Sequence, residues 1–231
     1  MHALPHLSAV DWFSLLSFFA CWGGYAWYSE HSRWGAGGLI RTSQAYRLTW
    51  SYRLLARDVR VMDSTLIGNL VTSVSFYANT TIYIIAGLVA ALGASDKLID
   101  ITADLPFGGA GNRELLEIKL MLVLACFVFA YFKFTWSLRQ FNLLSILVFA
   151  APLGGKGEPG IDDYARSLAG ANNLAGDDFN RGIRAYYFGL AASGWLLNPW
   201  ALGILAYLVL IVLFRRDYRS PALHLLRDPA E

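Results

Sequence analysis

Residues 66–94, LIGNLVTSVSFYANTTIYIIAGLVAALGA, decide the fold class because they place two different surfaces on one helix. At about 100° per residue, one side of this helix is apolar and suited to contact lipid. The other side, an arc of about 120°, carries amides, hydroxyls and small residues but no charge. We call this surface the amide stripe, and its members are Asn69, Thr72, Ser73, Asn79, Thr80, Tyr83, Gly87, Ala90, Ala91 and Ala94.

The amide stripe predicts a membrane helix that turns its polar side inward. A soluble amphipathic helix places charged side chains on its outer surface, and this stripe has none. Within a membrane, such a surface faces another helix or a water-filled path. Small residues at its C-terminal end favour close helix packing there, so any polar path is expected between Asn69 and Tyr83.

The composition of the chain is that of an integral membrane protein. Its 231 residues are 56% hydrophobic and 16% charged, against about 25% charged in soluble domains. The mean hydropathy is +0.42. Four apolar stretches, residues 10–28, 66–93, 115–136 and 185–214, are each long enough to cross a hydrocarbon core about 30 Å thick. The sequence therefore predicts a single all-α membrane domain, residues 1–231, with about four transmembrane helices.

The first apolar stretch has the position of a secretory signal peptide but not its composition. Residues 1–5 contain no lysine or arginine, whereas Trp12, Trp22 and Trp27 are typical of membrane-interface anchors. We therefore expect a retained helix, in a multi-pass protein of a bacterial inner membrane.

The segment between the first two stretches, residues 30–63, mixes arginine with aromatic and aliphatic residues. This mixture predicts an amphipathic helix lying on an anionic lipid surface, with a solvated loop of snorkelling side chains as the alternative. Nucleic-acid binding is disfavoured, because the rest of the chain offers no basic face. The arginines are Arg33, Arg41, Arg47, Arg53, Arg57 and Arg60.

The charge distribution leaves the membrane orientation open. The positive-inside rule places residues 30–63 in the cytoplasm and the acidic residues 95–114 outside. Four crossings then leave the arginines of the C-terminal tail outside, against the rule. A fold-back at Asn198 and Pro199 would remove the conflict, but its halves of about 15 residues are short for a full span. We therefore expect a kink at this position.

Two connecting segments flank the third and fourth stretches. Residues 141–152 are expected to extend the third helix or to lie at the interface. Residues 152–184 predict a polar loop, because glycine and proline interrupt its beginning and aspartates add charge. Within this loop we expect one short helix, residues 162–169.

No pattern in the chain favours catalysis or a bound cofactor. The histidines lie at the termini or just past a span, so none can ligate haem inside the membrane. The zinc-protease pattern His-Glu-x-x-His is absent, and no span holds a facing pair of acids. The glycine-rich residues 108–112 and 154–157 lack the spacing of a phosphate-binding loop. The histidines are His2, His6, His31 and His224.

Isolated titratable residues have structural explanations. Asp11 and Asp63 stand at the beginnings of helical stretches, where an acid caps free N–H groups. Cys21 and Cys126 lie in apolar stretches and are expected to be small buried residues. We therefore predict a non-enzymatic protein without metal or cofactor.

The third apolar stretch carries a second polar surface, which we call the lysine stripe. It occupies an arc of about 80°. Snorkelling explains a lysine near a helix end, whereas a cationic pathway lining or an anion site is the functional alternative. If the helix continues to Ala150, Lys133 moves toward mid-membrane and the functional alternative gains weight. The members are Lys119, Cys126, Ala130, Lys133, Ser137 and Gln140.

Three segments carry a family resemblance: residues 62–69 (MDSTLIGN), 137–142 (SLRQFN) and 179–188 (FNRGIRAYYF). With them, the chain resembles the membrane-protein family called domain of unknown function 599, over about residues 12–214. The resemblance implies a small multi-spanning membrane protein. It assigns no activity, substrate or cofactor.

The third of these segments also has a physical interpretation. Asn180 is expected to cap the fourth membrane helix, with Arg184 at the level of the lipid headgroups. Alternatively, Arg139 and Arg184 converge on an anionic headgroup or pair with Asp162 or Asp163.

Together these observations favour a non-enzymatic helical bundle that associates with itself or with a larger membrane complex through the two stripes. The alternative is a small channel or carrier, in which Asn69, Thr72, Ser73, Asn79, Thr80 and Tyr83 line a path that Lys119 or Lys133 biases toward anions. A lipid-modifying enzyme ranks third, because the chain shows no nucleophile and base pair.

Overall fold

A computed structural model describes residues 7–31, 38–97, 99 and 113–227 of the chain. Within these ranges the structure is all-α, and no residue lies in a β-strand. The predicted fold class is therefore confirmed. The helices are α1 (Ala9–His31), α2 (Leu39–Leu55), α3 (Val61–Gly93), α4 (Arg113–Phe149), α5 (Ile161–Ser193), α6 (Pro199–Tyr218) and α7 (Pro221–Arg227), with a 3₁₀ turn at Gly194–Leu196 between α5 and α6.

Three of the described helices, α3, α4 and α6, are long and apolar enough to cross a membrane. Their 33, 37 and 20 residues correspond to about 50, 55 and 30 Å, against a hydrocarbon core of about 30 Å. The first predicted span, residues 10–28, lies within the continuous helix α1, which is not one of the three. The protein is thus a multi-pass membrane protein.

The fourth predicted span, residues 185–214, is not one kinked helix, and that prediction is wrong. Helix α5 ends at Ser193, a 3₁₀ turn follows, and α6 begins at Pro199. Proline suits the first position of a helix and disfavours helical geometry in the residue before it. The side chain of Asn198 also accepts a hydrogen bond from the N–H of Trp200 at 2.9 Å, which caps α6.

The predicted polar loop at residues 152–184 is wrong from Ile161 onward, except that the short helix expected at residues 162–169 is present as the start of α5. The breaking residues end with Gly157 and Gly160, both of which have positive φ. Helix α5 then runs for 33 residues with aspartates in its first turn, where negative charge complements the helix dipole. Its buried residues include the apolar Ala165, Leu168 and Ala175 and also the charged Asp178 and Arg184. The predicted cap Asn180 lies inside this helix, where its amide donates to the carbonyl of Gly176 at 2.9 Å.

The chain divides into two compact units. The first unit contains Met1–Gly35, Thr81–Ala130 and Ile183–Arg216, and the second contains Ala36–Thr80, Tyr131–Gly182 and Asp217–Glu231. Helices α3, α4 and α5 each begin in one unit and end in the other. Each unit therefore contains part of each of these three helices.

The core of the first unit is aromatic. Phe18 of α1 packs edge-on against Phe188 of α5, and Trp22 stacks on the same ring at 5.7 Å. Close to them, a Cβ on Gly189 would lie 3.1 Å from the ring of Phe127. Helices α4 and α5 thus approach closely because glycine leaves room for the ring.

In the second unit, a glycine of α5 again leaves room for an aromatic ring of α4, and hydrogen bonds add further contacts. The rings of Tyr77, Phe134 and Phe179 pack together, and a Cβ on Gly182 would lie 2.5 Å from the ring of Phe134. The guanidinium of Arg60 donates to the carbonyls of Ala151 and Pro152, just past the end of α4. Arg60, the residue before α3, therefore ties the start of α3 to the segment that follows α4.

Candidate functional site

The amide stripe faces away from the rest of the chain, so its predicted inward orientation is wrong for a single copy. The opposite side of α3 is buried, through Ile67, Val74 and Ala78. Tyr83 is 77% exposed. Both sides lack charge, and helical periodicity alone does not say which side the protein covers. Of the other stripe members, Asn69, Thr72, Ser73, Asn79, Gly87, Ala90 and Ala94 are exposed, and Thr80 and Ala91 are half-buried.

The serine and threonine hydroxyls of the amide stripe are satisfied by the helix itself. Thr72, Ser73 and Thr80 donate to the carbonyls of Gly68, Asn69 and Phe76 at 2.9, 3.0 and 2.8 Å. Such hydroxyls tolerate lipid, because their donors are already bonded.

The amides of the stripe differ from its hydroxyls. The side chains of Asn69 and Asn79 make no hydrogen bond within the described part of the chain. Asn79 lies 18 residues after Val61 and 14 before Gly93, about 27 and 21 Å along the axis. A placement of α3 centred on the hydrocarbon core therefore puts this amide near mid-membrane.

The lysine stripe is buried. Cys126, Ala130 and Ser137 are at most 1% exposed, and the hydroxyl of Ser137 donates to the carbonyl of Ala175 in α5 at 2.8 Å. In the second unit, the lysine stripe is covered by α5.

Helix α4 continues to Phe149, so the predicted extension is confirmed. Lys133 lies 20 residues after Arg113 and 16 before Phe149, about 30 and 24 Å along the axis. Snorkelling explains a lysine near a helix end better than a lysine at this position. A charged side chain inside a membrane bundle commonly pairs with a group of opposite sign.

Asp178 of α5 is that partner, and sequence reasoning missed it. Its carboxylate accepts hydrogen bonds from the ammonium of Lys133 at 3.0 Å and from the amide of Gln140 at 2.7 Å. Arg181 lies 3.6 Å away on the same helix. The side chains of Lys133 and Asp178 are 14% and 8% exposed. We call Lys133, Gln140, Asp178 and Arg181 the buried charge cluster. The sequence contained a signal for this pair: a lysine in an apolar stretch, and aspartates in the segment that follows it along the chain.

The arginines of residues 30–63 that the structure places most clearly serve internal contacts. Arg47 of α2 donates to the carbonyl of Asn172 and the side chain of Asn173, both at 3.2 Å. Burial lowers the pKa of Arg47, and the charge of Asp177 opposes that shift. The helix predicted in this segment is present as α2, and its contact with anionic lipid stays a prediction.

The predicted caps Asp11 and Asp63 have different roles. Asp11 accepts hydrogen bonds from the backbone and hydroxyl of Ser8, which form a capping box. Asp63, by contrast, accepts from the indole of Trp50 at 2.8 Å and from Arg57 at 3.1 Å. It therefore ties α2 to α3 rather than capping α3.

A second polar cluster lies in the first unit, around the carboxylate of Asp11. The indole N–H of Trp195 donates to it at 2.8 Å. The ammonium of Lys119 lies 5.8 Å from the centre of the Trp195 ring. The ring and the carboxylate thus offset the free-energy cost of burying the Lys119 cation near this end of α4.

Arg184 and Arg139 do not form the predicted pairs with Asp162 or Asp163. The side chain of Arg184 is 6% exposed and donates to Glu30 at 2.9 Å, and also to Ser29. The partner of Asp163 is Arg166. Arg139 is exposed. Arg184 therefore holds α5 to α1 inside the first unit, and its level relative to the lipid headgroups stays a prediction.

Some predictions fall outside the described residues. They include the predictions on His2, His6, Arg33 and the glycine-rich loop at 108–112, and the side chains of His31 and His224 also lie outside the described part of the chain. Of the cysteines, Cys126 is buried and Cys21 is half-buried. Within the described ranges, no group of three metal-ligating side chains could hold a metal ion.

Three helices long and apolar enough to cross a membrane define an integral membrane protein that is all-helical over the described ranges. The chain belongs to the family described as "Protein of unknown function, DUF599", whose model matches residues 13–222. This match confirms the resemblance found in the sequence. No curated protein and no solved structure matches the chain.

Proposed function

We propose that this chain is a non-enzymatic membrane protein whose copies associate through the amide stripe of α3. The observation that carries the proposal is the outward position of Asn69 and Asn79, whose amides have no partner among the described residues. An unpaired buried amide costs about 1–3 kcal/mol in proteins. A second surface with donors and acceptors removes this cost.

A second copy suits the stripe because the stripe is uncharged and self-complementary. An asparagine amide both donates and accepts, so Asn79 can pair with Asn79 of the partner subunit across a twofold axis. If that axis is parallel to the membrane normal, equal residues meet at equal depth. Gly87 and Ala90, both exposed, let the two backbones approach closely.

The buried charge cluster supports this division of roles. Lys133 and Asp178 bind each other within one copy, so no ionic group in this cluster demands an outside partner. The uncharged stripe is the polar surface left over for contact with other chains. Membrane interhelical hydrogen bonds contribute about 0.6 kcal/mol on average, which suits reversible association.

Cysteine cross-linking tests the proposal. In a background with Cys21→Ala and Cys126→Ala, Asn79→Cys is compared with Ile82→Cys in native membranes. Ile82 is exposed on α3 at nearly the same depth but off the stripe, so it is the matched control. We expect oxidation to give a disulfide dimer at position 79 and little at 82. Equal cross-linking at both positions, or none at 79, would contradict self-association.

A different membrane protein on the same stripe would make this chain an accessory subunit. In that case Asn79→Cys, treated with a bifunctional thiol reagent, yields a heterologous product and no dimer. That result would overturn self-association and identify the partner by mass spectrometry.

The small channel or carrier is the second candidate, and its distinguishing feature is water along the stripe. Cysteines at positions 69 and 79 would then react rapidly with a charged, membrane-impermeant thiol reagent, whereas a helix interface protects them. The lysines proposed to bias such a path lie off the stripe, since Lys133 binds Asp178 and Lys119 lies beside Trp195.

A further inference from the structure

An elongated groove separates α1 from α6 in the first unit, away from the amide stripe. Its volume is about 520 Å³, within the range of small-molecule sites, about 300–1,000 Å³. The floor is made of small residues, and the walls are aromatic. We call it the α1–α6 groove. The lining residues used below are Phe13, Ser14, Cys21, Trp200, Gly203 and Tyr207.

One polar atom in this groove lacks a partner. The hydroxyl oxygen of Ser14 is buried without a hydrogen bond among the described residues, although the residue is only 1% exposed. Unlike Thr72 in the amide stripe, Ser14 does not bond to its own helix. A buried donor left unpaired costs about 1–3 kcal/mol, so this position suits a ligand that supplies an acceptor.

The groove begins near the N-terminal ends of two parallel helices. Helices α1 and α6 run parallel, because Phe13 contacts Trp200 near both N-terminal ends and Tyr28 contacts Phe214 near both C-terminal ends. Ser14 therefore lies near the helix ends, beside a tryptophan of the kind found at membrane interfaces. Cys21 and Tyr207 line the other end, deeper in the helices.

The length of the groove fits one lipid chain. Eight residues of α1, from Phe13 to Cys21, cover about 12 Å. One leaflet of the hydrocarbon core is about 15 Å thick. A helix of a second chain, about 10 Å in diameter, fills about 900 Å³ over the same 12 Å, which exceeds the volume of the groove.

We propose that the α1–α6 groove binds one acyl chain of a membrane phospholipid, whose ester carbonyl accepts a hydrogen bond from the hydroxyl of Ser14. Gly203 opens the groove, because a Cβ there would still lie 3.9 Å from the Ser14 hydroxyl and meet no other atom. The rings of Phe13 and Trp200 flank the chain. This site is separate from the proposed self-association and does not rest on it.

Photo-cross-linking locates the lipid. The full protein is reconstituted in phosphatidylcholine vesicles that contain a fraction of phosphatidylcholine with a diazirine on its acyl chain. We expect adducts concentrated on Cys21, Tyr207 and their groove neighbours. Adducts spread evenly over the lipid-facing residues of α3 and α4 would overturn the proposal. A protein-to-protein product at the groove would overturn it as well.

A filling variant tests whether the groove is the site. Gly203→Leu places a side chain in the groove and should lower adduct yield about fivefold, equivalent to about 1 kcal/mol. Gly23→Leu, on the same helix pair but facing open space, is the control and should leave the yield unchanged. Equal yields in both variants would contradict a defined site.

A hydroxyl deletion tests the polar contact independently. Native mass spectrometry compares phosphatidylcholine retained by Ser14→Ala and by the control Ser145→Ala, whose hydroxyl bonds to its own helix at Phe141. We expect Ser14→Ala to lose retention about 2- to 10-fold. Retention equal to that of the control would refute the role of Ser14.

Discussion

The amide stripe of α3 and the lysine stripe of α4 are polar surfaces on two membrane helices, but they differ in burial. The lysine stripe is covered by α5 and joined to it through Lys133 and Asp178. The amide stripe faces outward, and its hydroxyls bond to their own helix. We attribute this difference to charge, because a lysine inside a membrane bundle pairs with a group of opposite sign. Uncharged amides, in our proposal, bind a second copy of the chain.

The largest expected loss of stability comes from removing the counter-charge of the lysine stripe. Asp178→Asn removes the carboxylate that the ammonium of Lys133 contacts at 3.0 Å, at a site where the lysine side chain is only 14% exposed, and should destabilise the protein by about 3–5 kcal/mol. Unfolding of the purified protein in mild detergent measures the loss.

Asp163→Asn is the matched control, because its partner Arg166 lies in an exposed pair. Its free energy of unfolding should lie within about 1 kcal/mol of the wild-type value, because an exposed pair and a first-turn charge each contribute little. A Asp178→Asn variant as stable as this control would show that the buried charge cluster does not hold α4 to α5.

The contact between α4 and α5 gives the next effect. In Gly182→Ala the new methyl would lie 2.5 Å from the buried ring of Phe134, and overpacking of this kind costs about 1–3 kcal/mol. Gly170→Ala in the same helix meets open space and should be neutral or stabilising, since alanine favours helix. Thermal unfolding compares the two, and equal melting temperatures would argue against close packing.

Hydroxyls on the two stripes should respond differently to deletion. Ser137→Ala removes a buried hydrogen bond to the Ala175 carbonyl of another helix and should cost about 1–2 kcal/mol. Thr72→Val removes an exposed bond within α3 and should change the unfolding free energy by less than about 0.5 kcal/mol. If both variants lose equal stability, the two stripes do not differ as described.

The smallest effect concerns association alone. Asn79→Leu should weaken association about 3- to 10-fold while monomer stability in detergent stays unchanged, because one membrane hydrogen bond contributes about 0.6 kcal/mol and at most about 1.7. Analytical ultracentrifugation in detergent measures the dissociation constant. A stability loss without an association loss would place Asn79 in the core of a single copy.

The class of the protein and the long helices α3 and α4 follow from the sequence. Apolar runs of sufficient length predict membrane helices with little dependence on context. The condition placed on Lys133 was also informative, because the extension of α4 to Phe149 moves that lysine to the middle of the helix.

Helix α5 and its acid Asp178 could not be identified in the same way. Glycines and aspartates at 152–163 predict a loop locally. The amphipathic pattern that follows them is hard to recognise, because its buried residues are mostly small, as at Ala165, Leu168 and Ala175. Which side of α3 faces outward was also not predictable, since both sides lack charge. Only the tertiary structure decides that question.

The most direct test of the central claim is energy transfer between differently labelled copies reconstituted in phosphatidylcholine vesicles. The account predicts transfer in the wild type that rises with the ratio of protein to lipid and falls strongly in the double variant Asn69→Leu and Asn79→Leu. Transfer at the level of random proximity in the wild type, or transfer unchanged in the double variant, would contradict association through the amide stripe.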